Sequence, residues 1–352
     1  MRVLFDVQHL YYLPHYEPVM HVLHARGVEC SVVCRDQSDP DGQACRTLLD
    51  GKFPVETAAD ETAAVAIAAR FAPDWIIVGN DNPYWKKTRA RSALLYHGNG
   101  VKRVYYSPHL MNVDLRFVEG PYRARELAAL YPDVRLEVTG YTKVDPLLNG
   151  SAQEFDLAAH GLDPQRPTLL YAPTFFPSSI ECLPADWPAR LADVNLLVKP
   201  HQFSLTKPAY REQQRLFAKW QEYPNVYVAD LGHSSLVPFM VVADVLISET
   251  SSALFEFAAL DRPVIWCDFL KLRWSYRGPF SYRLRRRIDR NIYAYADVGA
   301  HAASPDDLIE QVRAELAAPQ RHAAARKRIT SELIGSTDGR AAERVADVLL
   351  AG

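Results

Sequence analysis

Two histidines in this sequence stand where an apolar run gives way to glycine or proline. His97 closes the run ALLYHG, and Gly98 and Gly100 allow the backbone to pass close to a bound molecule. Lys102 follows shortly after. His201 closes NLLVKPH, with Lys199 two residues earlier and Pro200 between them. An imidazole titrates near neutral pH and so can take or give a proton, while a lysine supplies fixed positive charge. The histidines at 15, 21, 24, 160, 301 and 322 lack such a setting and read as structural.

A third place is ADVLISETSSALFEFAALDRPVIW, residues 243 to 266. The apolar run VLIS ends in Ser248-Glu249-Thr250-Ser251-Ser252, and a helical pattern starts at once. Ser and Thr are natural helix N-caps. Unpaired N–H groups and the positive dipole end at a helix start also suit a phosphate. A plain N-cap with no ligand accounts for the same residues. Thr174 ends LLYAPT, which is either a ligand loop or a turn. Gly140 and Asp145 in VTGYTKVD fit a hinge or a simple strand-to-linker turn. Seven arginines fall between Arg273 and Arg290, with Trp274, Tyr276, Phe280 and Tyr282 among them and no acidic residue before Asp289. Guanidinium forks match phosphate, so the run fits acidic acceptors or lipid headgroups, and it equally fits a solvated face.

These clusters need a scaffold that ends its strands on one side. RVLFDV, ECSVVC, DWIIVGN, ALLYHG and KRVYYS read as buried strands in the first half, and TLLYAPT, NLLVKPH, VYVAD, DVLIS and PVIWCD in the second. Between them lie helical patterns such as EPVMHVLHARG, ETAAVAIAARFA, REQQRLFAKWQ and SSALFEFAALD. Strands apolar on both faces imply parallel sheets covered by helices. Two such series predict an α/β chain with two Rossmann-like, doubly wound domains. The boundaries fall at 1–150 for the first domain, 151–335 for the second and 336–352 for a C-terminal helix, because NGSAQEFDLAAHGLDPQRP is rich in turn residues. In such sheets ligands bind beyond the carboxyl ends of the strands, where the clusters above lie.

Bulk properties narrow the class. The chain has 352 residues, 48% hydrophobic and 23% charged, with a net charge of −2. No overall field draws it to nucleic acid, so any phosphate attraction is local. The five cysteines are scattered, with no CxxC pair, which fits a reducing cytoplasm. No apolar stretch is long enough to span a bilayer, so any membrane work is done from the surface of its inner face. No acidic cluster reads as a metal site, so neither metal nor cofactor is assigned.

Taken in order, the clusters resemble the CDP-glycerol:poly(glycerophosphate) glycerophosphotransferase family, teichoic acid and capsule enzymes of GT-B fold with two Rossmann-like domains facing a cleft. The resemblance rests on His97-Gly98 with Lys102, Val138-Thr139-Gly140 with Asp145, Leu170 to Thr174, Lys199-Pro200-His201, Ala243 to Ser252, and Gly339-Arg340-Ala341-Ala342-Glu343-Arg344. The family pattern has His-Pro where this chain has His201-Gln202, and Asp-Tyr-Ser-Ser where it has Glu249-Thr250-Ser251-Ser252. It has Phe-Asp where this chain has Phe255-Glu256, and Thr-Pro-Leu-Lys where it has Asn99-Gly100-Val101-Lys102. The N-terminal start matches less specifically, and His9, Tyr11 and Tyr12 either face the acceptor or pack.

The resemblance implies that the first domain serves the acceptor and the second binds the nucleotide of CDP-glycerol or a related CDP-alditol. His97 would be the base and His201 would lie by the donor phosphates. Lys199, Thr174, Ser248, Glu249, Ser251 and Ser252 would hold the donor. Lys102, Arg285, Arg286 and Arg287 would hold a glycan or lipid-linked acceptor. CMP would be released, and one or a few units added rather than a long polymer. A GT-B glycosyltransferase or nucleotide-sugar 2-epimerase, and a non-catalytic nucleotide- or carbohydrate-binding protein, remain the alternatives.

Overall fold

Runs of Val, Ile and Leu with no polar face must be covered on both sides, and the structure covers them with helices. In Arg2–Val7, Val3, Phe5 and Val7 enter one core while Leu4 enters the core on the other face. The computed structural model describes residues 1–352 except 36–39, 81–82, 99–100, 102, 234 and 283–289. The chain divides into two units, Met1–Gly150 with Ser331–Gly352, and Ser151–Thr330.

The first unit carries β1 (Arg2–Val7), β2 (Glu29–Arg35), β3 (Val55–Ala58), β4 (Trp75–Val78), β5 (Arg91–Leu95), β6 (Leu115–Val118) and β7 (Leu136–Val138). Their order is β3-β2-β1-β4-β5-β6-β7, and each pair is parallel. The second unit carries β8 (Thr168–Tyr171), β9 (Asn195–Val198), β10 (Val226–Val228), β11 (Val245–Ser248), β12 (Val264–Cys267) and β13 (Ala300–Ala302). Their order is β10-β9-β8-β11-β12-β13, again parallel throughout. The α/β class and the two doubly wound sheets are those expected from the sequence. In each, the order reverses beside the first strand, between β1 and β4 and between β8 and β11. Ligands of such sheets bind at this reversal.

One segment differs from expectation. KRVYYS is not a strand but a 3-10 turn, Arg103–Tyr106. Its carbonyls are satisfied by phenols instead of a ladder: the Tyr96 hydroxyl donates to Tyr105 O at 3.3 Å and the Tyr131 hydroxyl to Tyr106 O at 2.7 Å. Strands β3, β6, β7 and β13 carry Glu56, Arg116, Glu137 and His301 within three or four residues, and no apolar run marks them.

Two motifs 197 residues apart at their point of contact meet within the first unit, since Asp145 Oδ2 accepts from Ala342 N at 2.6 Å. This satisfies a donor at the start of the helix Ala341–Ala351, where acidic groups also suit the dipole. Gly140 holds φ at +95°, and a Cβ there would lie 3.0 Å from Ala341 Cβ. Behind this contact Ala342, Val345, Ala346 and Leu349 enter the core around β1, and Trp75 Nε1 donates to Leu349 O at 3.2 Å.

Burial pushes the Asp145 carboxyl from 3.8 up to about 6. The folded chain then holds a proton that the unfolded chain has released, between about pH 4 and pH 6. The contribution of this group to stability is full below that window and is lost as pH rises through it. Asp145→Asn should remove that component. Thermal unfolding of both proteins across the window should give a steeper decline with rising pH for the wild type, and parallel curves would refute the assignment.

Candidate active site

In the first unit the carboxyl ends of β1, β4 and β5 converge on His97. Its Nδ1 lies 2.9 Å from Gly79 O, just beyond β4. A carbonyl only accepts, so Nδ1 carries the hydrogen, and in the neutral ring Nε2 carries the lone pair. The half-buried ring lies among Tyr12, Tyr11 and Tyr105, at centroid distances of 4.7, 5.1 and 5.4 Å. Tyr12 is wholly buried and packs, whereas Tyr11 is 45% exposed and stacks on His9 at 5.0 Å.

The two glycines beside this histidine are fixed by their neighbours. A Cβ on Gly79 would come 2.8 Å from the Tyr12 ring, and one on Gly98 would come 2.0 Å from the Tyr105 hydroxyl. Arg123, from the helix Pro121–Leu130, donates to Gly98 O. Its guanidinium lies 3.9 Å over the Tyr96 ring and 4.8 Å over the Tyr105 ring, and pairs with Glu119 at 2.8 Å with both side chains buried. In the sequence an Arg four residues after a Glu resembles an ordinary surface pair, and nothing in the spacing marks this one as buried. Asp6 was also missed. It accepts from Tyr84 Oη at 2.9 Å and Trp85 Nε1 at 2.8 Å, which pins the turn after β4, and burial raises its carboxyl above the usual range.

In the second unit the ends of β8, β9 and β11 carry the remaining candidates. Glu249 follows β11 and is completely buried. One carboxylate oxygen accepts from Thr174 N at 2.7 Å. The other accepts from Ser179 N at 2.8 Å, Ser178 Oγ at 3.3 Å and Ser179 Oγ. Burial raises its carboxyl above the usual range, and these donors oppose the rise. The sequence grouped Glu249 with the phosphate-binding residues, but its carboxylate faces inward and braces the loop after β8. Ser248 is likewise committed, donating to Ala172 O at 2.6 Å, and the Thr174 hydroxyl donates to Pro177 O at 2.8 Å.

His201 caps the short helix Gln202–Thr206, where its Nδ1 accepts from Phe203 N at 3.1 Å. That lone pair is used, so the hydrogen of the neutral ring lies on Nε2, opposite to His97. The ring lies 4.5 Å from that of Phe175, on the loop that Glu249 braces. Lys199 Nζ is 3.4 Å from Pro200 O. Ser251 caps the helix Ser252–Ala258 by accepting from Ala253 N at 3.2 Å, and both serines are half-buried. Lys102, Arg285, Arg286 and Arg287 lie outside the described residues. Among the described residues no group of three His, Cys, Asp or Glu could hold a metal, and no helix is long and apolar enough to cross a membrane.

Residues 111–351 match the family described as CDP-glycerol:poly(glycerophosphate) glycerophosphotransferase, a span that starts after His97. The wall teichoic acid polymerase TagF shares the fold with a TM-score of 0.72 at 13% identity, covering 99% of this chain and 88% of that one. A variant of TagF soaked with CDPG gives 0.66 at 13% identity, covering 99% and 88%. A UDP-GlcNAc 2-epimerase from Neisseria meningitidis, solved with UDP-GlcNAc, gives 0.63 at 14% identity and covers 100% of both chains. No curated protein matches the chain in sequence.

Glu249→Ala should leave the Thr174 and Ser179 amides without an acceptor and destabilise the second unit by about 2–5 kcal/mol. Glu249→Gln keeps one accepting oxygen and should cost less. Urea unfolding midpoints decide it, and a neutral Glu249→Ala would remove the bracing role.

Proposed function

Because the chain belongs to the CDP-glycerol:poly(glycerophosphate) glycerophosphotransferase family, we propose that it moves a glycerol-phosphate unit from a CDP-activated donor to a hydroxyl of a glycan or glycolipid acceptor and releases CMP. The observation that carries the assignment of roles is the opposite backbone partner at Nδ1 of its two strand-end histidines, a carbonyl at His97 and an N–H at His201. His97 offers a lone pair at Nε2, as a base must. His201 offers an N–H there, as a group that steadies phosphoryl charge must.

In this reading the acceptor O–H gives its proton to His97 Nε2, and its oxygen attacks the phosphorus that bears glycerol. The bond from that phosphorus to the bridging oxygen breaks, and the electron pair leaves with CMP. Such transfer depends on placement and on stabilising the phosphoryl oxygens more than on covalent chemistry by the protein. His201 Nε2–H, Lys199 and the hydroxyls of Ser251 and Ser252 supply positive charge and donors. Glu249 takes no part in contact and keeps the neighbouring loop in register. Lys102, Arg285, Arg286 and Arg287 are assigned to the acceptor. The 2-epimerase likeness is one of fold, and the nucleotide released separates the readings: phosphotransfer gives CMP, whereas a sugar donor gives a nucleoside diphosphate.

Incubation with CDP-glycerol and a hydroxyl acceptor, followed by nucleotide chromatography, tests the reading. His97→Ala should cut CMP release by about 100-fold or more while donor affinity by calorimetry stays within a few-fold. His201→Ala should lower both. Full turnover in His97→Ala would return that histidine to a structural role. Replacing Arg285, Arg286 and Arg287 by Ser should raise the acceptor KM and leave the donor KM unchanged, and an unmoved acceptor KM would remove these three from acceptor binding.

A further inference from the structure

The loop after β12 presents an aromatic and cationic face that the transferase reading leaves unused. At its base Lys271 N donates to Ser178 O at 3.1 Å. Arg273 lies 4.6 Å over the Phe176 ring and 4.9 Å over that of Tyr210, and the Tyr276 ring lies 4.8 Å from Phe176. These contacts fix the 3-10 turns Trp274–Tyr276 and Gly278–Ser281 to the rim of the second unit. Beyond them Trp274 is 78% exposed, the most exposed large hydrophobic side chain among the described residues, and its ring lies 5.8 Å from that of Phe280. Lys271, Arg273 and Arg277 are exposed around it.

An exposed tryptophan flanked by cations suits either a sugar or a bilayer interface. Sugar hydroxyls are held by carboxylates and amides, yet residues 269–282 contain no Asp, Glu, Asn or Gln, and carry Lys271, Arg273 and Arg277. Trp, Tyr, Lys and Arg without acids are the composition that headgroup regions of anionic leaflets favour. We propose that residues 271–282 form an interfacial anchor, in which Trp274 and Phe280 enter the headgroup region of an anionic bilayer while Lys271 and Arg277 meet lipid phosphates.

Binding needs no turnover, so it is measured apart from the transferase reading. The full chain should float with vesicles of phosphatidylcholine mixed with phosphatidylglycerol and not with phosphatidylcholine alone, and added salt should weaken it. Arg277→Ser should lower the affinity about fivefold, the effect of one cation near such a surface. Trp274→Ser should lower it about tenfold through lost apolar burial. Both variants should release CMP from a water-soluble acceptor as the wild type does. A wild type that floats but releases no CMP would sink the transferase reading and leave the anchor standing. Flotation that ignores lipid charge, or that survives Trp274→Ser unchanged, would overturn the anchor. So would a dimer dispersed by Trp274→Ser with no vesicle binding, which would assign the face to a second copy of the chain.

Discussion

The reversal of strand order sets where most of the candidate residues of this chain gather. In a parallel sheet each strand hands the chain to a crossover on one face or the other. Where neighbouring strands send their crossovers to opposite faces, their carboxyl ends part and leave unfilled space. Both units have this arrangement, between β1 and β4 and between β8 and β11. His97 and its tyrosines gather at the first reversal, and Glu249 with the serines at the second.

Loops at such a rim have no ladder to hold them, and buried carboxylates hold them here. Asp6 gathers a phenol and an indole, Glu119 pairs with the arginine that reaches Gly98, and Glu249 collects donors from the loop after β8. Each side chain lies in the protein interior, where an unmet charge is costly, so each tolerates few arrangements of its partners. Rigidity at each rim thus comes from polar contacts, and a backbone atom of the same unit, Gly79 O or Phe203 N, faces Nδ1 of each histidine.

Much of the fold was legible because apolar runs such as VLFDV and VLIS have no solvent face and so announce buried strands. Charged or very short strands, β3, β6, β7 and β13, carry no such signal, and a tyrosine-rich turn at Arg103–Tyr106 imitates one. Within the candidate site, His97 and His201 stood out by position at strand ends. Their tautomers did not, because a tautomer depends on which backbone atom lies beside the ring. Glu249 was legible as a member of its motif, but its inward orientation required knowing that Thr174 and Ser179, some seventy residues earlier, would meet it. Arg123 and Glu119 were hidden because a spacing of four residues does not say whether the pair is covered.

The helix Ala341–Ala351 closes the core of a unit whose other strands are made first. Synthesis runs from the amino terminus, so the strands of this unit are made well before Val345, Ala346 and Leu349 can pack against β1. Until then the earlier-made unit waits with an uncovered apolar stripe, the condition under which nascent chains engage chaperones.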